Sequence, residues 1–155
     1  MPRGNHDTGK IGESETWEFL LGKGYSRPIK EERIRIAKYY KEKNIIIEKS
    51  GFDVILNADI ENIGKTDICL FEVKTTGTQR GKKIGQGFVG LGFTLTEKEL
   101  SNAKALENKF VFLFVNLASR TFIPCNLQDF FTKDKSRIYQ TWSVFIKDKI
   151  DLEPK

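Results

Sequence analysis

One histidine in 155 residues, His6, removes most chemistry that depends on imidazole: neither a His-based triad nor a His-metal cluster can be built from it. The two cysteines, Cys69 and Cys125, lack the paired spacing of a zinc site and have no histidine three or four residues away, so both read as small buried hydrophobes. No apolar run approaches the roughly 18 residues of a membrane span. The richest, "FVFLFV" at 110–115, is the length of a strand. The opening "MPRGNHDTGK" has no apolar signal segment, so an intracellular, cytoplasmic protein with no membrane partner is expected. Residues 1–10, rich in Gly, Asn and Asp, read as a flexible tail, and 11–155 as one domain without internal repeat or dividing linker.

The composition that remains, 39% apolar and 30% charged, suits a soluble globular chain and argues against disorder. Twenty-six Lys and Arg against twenty-one Asp and Glu leave a net +5, which fits a polyanionic partner without requiring one. "GESETWEFLLGKGY" predicts a helix with Trp17, Leu20 and Leu21 inward, ended by Gly22 and Gly24. "KEERIRIAKYYKEKN", 30–44, predicts a second, with Ile34, Ala37 and Tyr40 or Tyr39 inward. "NIIIEK", "GFDVILNA" and "DICLFEVKTT" predict a meander of strands. A glycine-rich, cationic loop follows at 75–92. "TEKELSNAKALENK" predicts a helix opened by a capping box of Thr96 and Glu99. "FVFLFVNL" reads as a strand buried on both faces, with "RTFIPCN" as its partner, while the segments after it are ambiguous between helix and strand. The fold class is α/β or α+β, with a central mixed sheet of about five strands flanked by helices.

Within "LFEVKTTG", 70–77, Glu72 and Lys74 point to the same face as Leu70, while Phe71 and Val73 point to the other. One face is then core and the other a site. If 52–57 folds back on 68–74, residue 53, an aspartate, lies opposite Glu72, with Cβ atoms roughly 5 Å apart. Two carboxylates so placed repel unless a cation lies between them. Asp53, Glu72 and the Val73 carbonyl suit Mg²⁺, with Mn²⁺ able to stand in, and Lys74 is placed to orient or deprotonate a water. A hard cation, an activated water and fixed positive charge are the requirements of phosphodiester hydrolysis. Asp67 is the other candidate for the first carboxylate, but it lies five residues before Glu72, some 17 Å away and on the opposite face.

The order Asp53, then Glu72, Val73 and Lys74, resembles the signature of the PD-(D/E)XK nuclease superfamily. "GKIGE", with Glu13, resembles the start of that superfamily's first helix, and "GKGY", with Gly24 and Tyr25, the Gly-aromatic pair that follows about a dozen residues later, so the resemblance implies that Glu13 aids metal or water binding. Glu15 and Glu18 share that helix. The likeness runs over about residues 9–116 and is greatest to NO VEIN-related nuclease domains of defence proteins; Phe52 stands where many members carry proline, and a helix is inserted between Tyr25 and Asp53. It implies a restriction endonuclease-like fold and a Mg²⁺-dependent endonuclease acting on DNA, working as a homodimer, with no small-molecule cofactor. Arg80, Lys82 and Lys83 of the cationic loop are candidates to track phosphates, and Asn102 and Lys104 to face the site. A silent nucleic-acid-binding module of the same fold and an RNA-cleaving nuclease are the alternatives.

Overall fold

The structure, a computed structural model, describes the backbone of residues 5–76 and 94–127 and the side chains of 13–75 and 94–127. Its central strand is β4 (Phe110–Asn116), which lies between β3 (Leu70–Thr76), parallel to it, and β5 (Thr121–Cys125), antiparallel to it. Being covered on both faces and paired along both edges, β4 tolerates an unbroken apolar run, and only Val111 escapes full burial. The register puts Glu72 beside Phe112 and Lys74 beside Phe114. Asn116 Oδ1 accepts the N–H groups of Ala118 and Ser119 and so closes the turn into β5. Pro124, which has no N–H to donate, sits in β5, paired to β4 alone among the described residues.

Among the described residues three α-helices pack on this sheet. α1 (Asn5–Leu21) begins within the stretch predicted as a flexible tail, so residues 5–10 are helical. It buries Thr16 and Leu20 and leaves Leu21, expected inward, 62% exposed. The chain then reverses through Gly24, whose φ of +91° suits a residue without a Cβ. α2 (Lys30–Glu42) turns Ala37 and Tyr40 inward as predicted, but joined by Arg33 and Ile36 on the i, i+3, i+4, i+7 spacing, while Ile34, expected inward, faces out. The reason is polar. Arg33 stacks on the Phe52 ring at 4.5 Å and reaches backbone carbonyls beyond it. α3 (Glu97–Leu106) starts at the predicted capping box, Thr96 Oγ1 accepting the Glu99 N–H at 3.2 Å and Glu99 Oε2 accepting the Thr96 N–H at 2.9 Å.

The predicted meander does not form. Ile45–Glu48 is not a strand, and β2 (Ile55–Leu56) pairs with β1 (Tyr25–Ser26) in a separate two-stranded sheet. Among the described residues a single antiparallel bridge, Val54 to Phe71, couples it to the three-stranded sheet, and the architecture is mixed α+β with two small sheets, of two and three strands. The segment before Asp53 is held instead by α3. Asn102, fully buried, accepts the Glu48 N–H at 2.7 Å and donates to the carbonyls of Glu48 and Gly51 at 2.9 and 3.1 Å. Three backbone bonds to one side chain replace a ladder.

Apolar side chains divide by strand face. Leu70, Phe110, Phe112 and Phe114 pack with Ile36 and Tyr40 of α2 and Ala103 and Leu106 of α3. Phe71, Leu113 and Val115 pack with Leu20 of α1 and with Val54. Among the described residues no helix is long and apolar enough to cross a membrane.

Removing the Asn102 side chain takes a partner from three backbone groups, that of Gly51 buried, so Asn102→Ala is expected to lower unfolding stability by about 2 kcal/mol, measured by urea denaturation. Gly51→Ala should do comparable damage, because a Cβ there meets Asn102 Nδ2 at 2.5 Å and the Lys98 carbonyl oxygen at 2.8 Å.

Candidate functional site

The predicted register between the two acidic segments is the one observed: Val54 opposite Phe71 places Asp53 beside Glu72 in the count. Pairing stops almost at once, however. The N–H groups of Asp53 and Val54 both donate to the Phe71 carbonyl, at 2.8 and 3.1 Å, so two residues oppose one in a β-bulge. A bulge re-aims a side chain, and here the Asp53 carboxylate turns along β3, where Oδ2 accepts the Val73 N–H at 2.8 Å. The N–H and C=O of a strand residue face the same edge, so the Val73 carbonyl lies on the Asp53 side of β3. Arg33 steadies the bulge from α2, donating to the carbonyl oxygens of Lys49, Phe52 and Asp53 at 2.9, 2.6 and 3.2 Å.

Glu72 and Lys74 do share a face with Leu70, but that face is not opposed to the core as predicted. It is core at Leu70, and α3 closes over its continuation. Glu72 is 6% exposed and Glu99, from the first turn of α3, 7%. Lys74 Nζ lies 3.4 Å from Glu72 Oε1, 3.0 Å from Glu99 Oε2 and 2.9 Å from the Thr94 carbonyl oxygen. The Glu72 carboxyl is close enough to those of Asp53 and Glu99 for each to perturb the other's proton affinity. Two carboxylates, Glu72 and Glu99, therefore contact one largely buried ammonium, with the half-buried Asp53 next to Glu72 in the register.

Their proton affinities follow from that crowding. Burial pushes Glu72 well above the usual glutamate range, and the charges of Asp53 and Glu99 push it further against the pull of Lys74. Asp53 is raised too, burial outweighing the Val73 N–H, the Glu72 carboxyl and Lys74. Glu99 goes the other way. Burial alone would raise it, but hydrogen bonds from the Glu72 carboxyl, the Thr96 N–H and Lys74 together hold it low. This crowding thus favours the protonated form of Glu72.

The structure brings Asp53, Glu72, Lys74 and the Val73 backbone together, and leaves Glu13 apart. Glu13 is exposed on α1 and accepts Trp17 Nε1 at 3.2 Å; it is Thr16, buried on the same helix, that reaches β3, through Thr75 Oγ1 at 3.2 Å. Glu15, Glu18 and Lys104 are exposed, and Asn102 serves the 48–51 turn. Asp67 is an exposed residue paired with Lys43 at 2.7 Å, as a strand-end reading predicts. Arg80, Lys82 and Lys83 lie outside the described residues. Glu99 and Arg33 were not foreseen as parts of the site. The capping box was the available signal for Glu99, since it turns that carboxylate back toward the chain entering α3. Among the described residues no group of three or more His, Cys, Asp or Glu side chains forms a metal cage. The donors that fit an ion are two carboxylates and a carbonyl, a set that suits Mg²⁺, which keeps several waters.

The raised groups carry a stability consequence. Above the ordinary values of 3.8 for Asp53 and 4.5 for Glu72, the folded chain binds more protons than the unfolded one, so stability falls as pH rises toward the raised folded values. In chelator, the melting temperature is expected to drop between about pH 5 and pH 8, and Glu72→Gln to remove most of that slope.

Comparison with protein-family models, with curated proteins and with solved structures finds no match to this chain.

Proposed function

We propose that the protein is a Mg²⁺-dependent nuclease of restriction endonuclease-like fold that hydrolyses phosphodiester bonds in DNA. The observation that carries this reading is the placement of Asp53 beside Glu72 at the Val54–Phe71 bridge, with Lys74 two residues along the same strand and in contact with Glu72. Two carboxylates forced together at the cost of raised proton affinity are a site in need of positive charge, and a divalent cation supplies it more fully than a shared proton.

In this reading Asp53, Glu72 and the Val73 carbonyl hold Mg²⁺, or Mn²⁺ in its stead. The ion, when bound, polarises the phosphoryl group and acidifies a water. Asp53 is kept in place by the Val73 N–H, so its free oxygen is presented at a fixed angle. Lys74 presents its ammonium beside the same carboxylates, where it can orient the attacking water and meet charge that gathers in the transition state. The net +5 favours a polyanionic substrate. With one site per chain, cutting both strands calls for two copies, so a homodimer is part of the proposal. Cytoplasmic DNA is the substrate that agrees with an intracellular location.

Plasmid, single-stranded DNA and RNA incubated with Mg²⁺ or with EDTA test the reading. Cleavage of DNA that requires the metal is expected, and Lys74→Ala and Asp53→Asn should each lower its rate by about a hundredfold or more. Preference for RNA would move the substrate class. Binding of DNA without cleavage by the unaltered protein would leave a silent module and overturn the enzyme.

A further inference from the structure

Lys74 is held less by its strand neighbour than by a helix. Its ammonium is 2.9 Å from the Thr94 carbonyl oxygen and 3.0 Å from Glu99 Oε2, but 3.4 Å from Glu72 Oε1. Glu99 is itself immobilised, because the same Oε2 accepts the Thr96 N–H at 2.9 Å. One oxygen therefore caps α3 and receives the ammonium, and the two side chains are only 9% and 14% exposed. Neither can swing to water without breaking a buried contact. If the Glu99 charge were absent, Glu72 would be the one carboxylate left in contact with Lys74.

We propose that Glu99 is a positioning residue that draws the Lys74 ammonium toward α3 and so leaves Asp53 and Glu72 free to hold a divalent cation. The proposal rests on the reading of that pair as metal-holding. An ammonium seated fully on Glu72 competes with a cation for the same oxygens, and at contact distance in a partly buried place the competition is strong. Since Glu99 acts through Lys74, its influence on metal affinity must vanish when Lys74 carries no charge. A direct ligand, or a residue that merely supports the fold, has no such dependence.

A double-mutant cycle read by Mn²⁺ binding separates these roles. Free Mn²⁺ is measured by electron paramagnetic resonance with the full chain, as wild type, Glu99→Gln, Lys74→Met and the double variant. Glutamine at this position still accepts the Thr96 N–H, so the capping box and the melting transition should persist. Glu99→Gln is expected to weaken Mn²⁺ binding by about tenfold in the wild-type background and by less than about twofold in Lys74→Met. Glu99→Asp keeps the charge but withdraws it by one methylene; it should give an intermediate loss, and it replaces Gln in the cycle if the Gln variant does not melt cooperatively. Unchanged affinity in Glu99→Gln, or equal losses in both backgrounds, overturns the proposal. Absence of Mn²⁺ binding by wild type removes the Asp53–Glu72 reading and this one with it, whereas wild-type binding with a flat cycle removes the role of Glu99 alone.

Discussion

Repulsion among buried carboxylates is the constraint around which the described part of the chain is arranged. Glu72 and Glu99 share a single ammonium, Lys74, and Asp53 lies next to Glu72, where burial strengthens every charge interaction. Such a cluster does not assemble by itself, since hydrophobic burial prefers other occupants and the charges favour water. It persists because the backbone around it is fixed by contacts that do not depend on the charges.

Those contacts are mostly single polar side chains reaching from helices to irregular backbone. Arg33 gathers three carbonyls on either side of Phe52, Asn102 clasps the turn at 48–51, and Tyr40 Oη donates to the Ile68 carbonyl at 2.7 Å while accepting the Ile68 N–H at 3.2 Å. α2 thereby holds the bulge at Asp53 and the entry to β3, and α3 the turn before the bulge and the end of Lys74. Regular pairing is short there, and specific clasps do what a ladder does elsewhere. Among the described residues the Val54–Phe71 bridge is the one point where pairing itself joins the two small sheets.

Much of this was legible in residue order where a local rule applied. Thr96 and Glu99 announce the start of α3, "FVFLFV" reads as a doubly covered strand, and "TFIPC" falls beside it as predicted. The opposition of Asp53 and Glu72 follows from counting back around a turn, and the observed bridge has that register. Legibility fails where a polar side chain overrides the apolar pattern. Ile34 was assigned inward because it is apolar, yet Arg33 takes the inward stripe by stacking on Phe52. "NIIIEK" has the composition of a strand, but its neighbours are satisfied by Asn102 and no partner strand forms. Glu13 has the position expected of a helper carboxylate, and its side chain engages Trp17.

By itself the sequence determined which groups can carry chemistry: two acids and a lysine at strand spacing, almost no histidine, no cysteine pair, and alternation that sends Glu72 and Lys74 to one side. Tertiary structure alone decided that Glu99, twenty-five residues beyond Lys74, completes the cluster, and that Asp53 turns along β3 through a bulge. The physical reason is range. Alternation, capping and turn signals act over a few residues, whereas the meeting of charges from a strand and a helix depends on how the two pack, which no local pattern encodes.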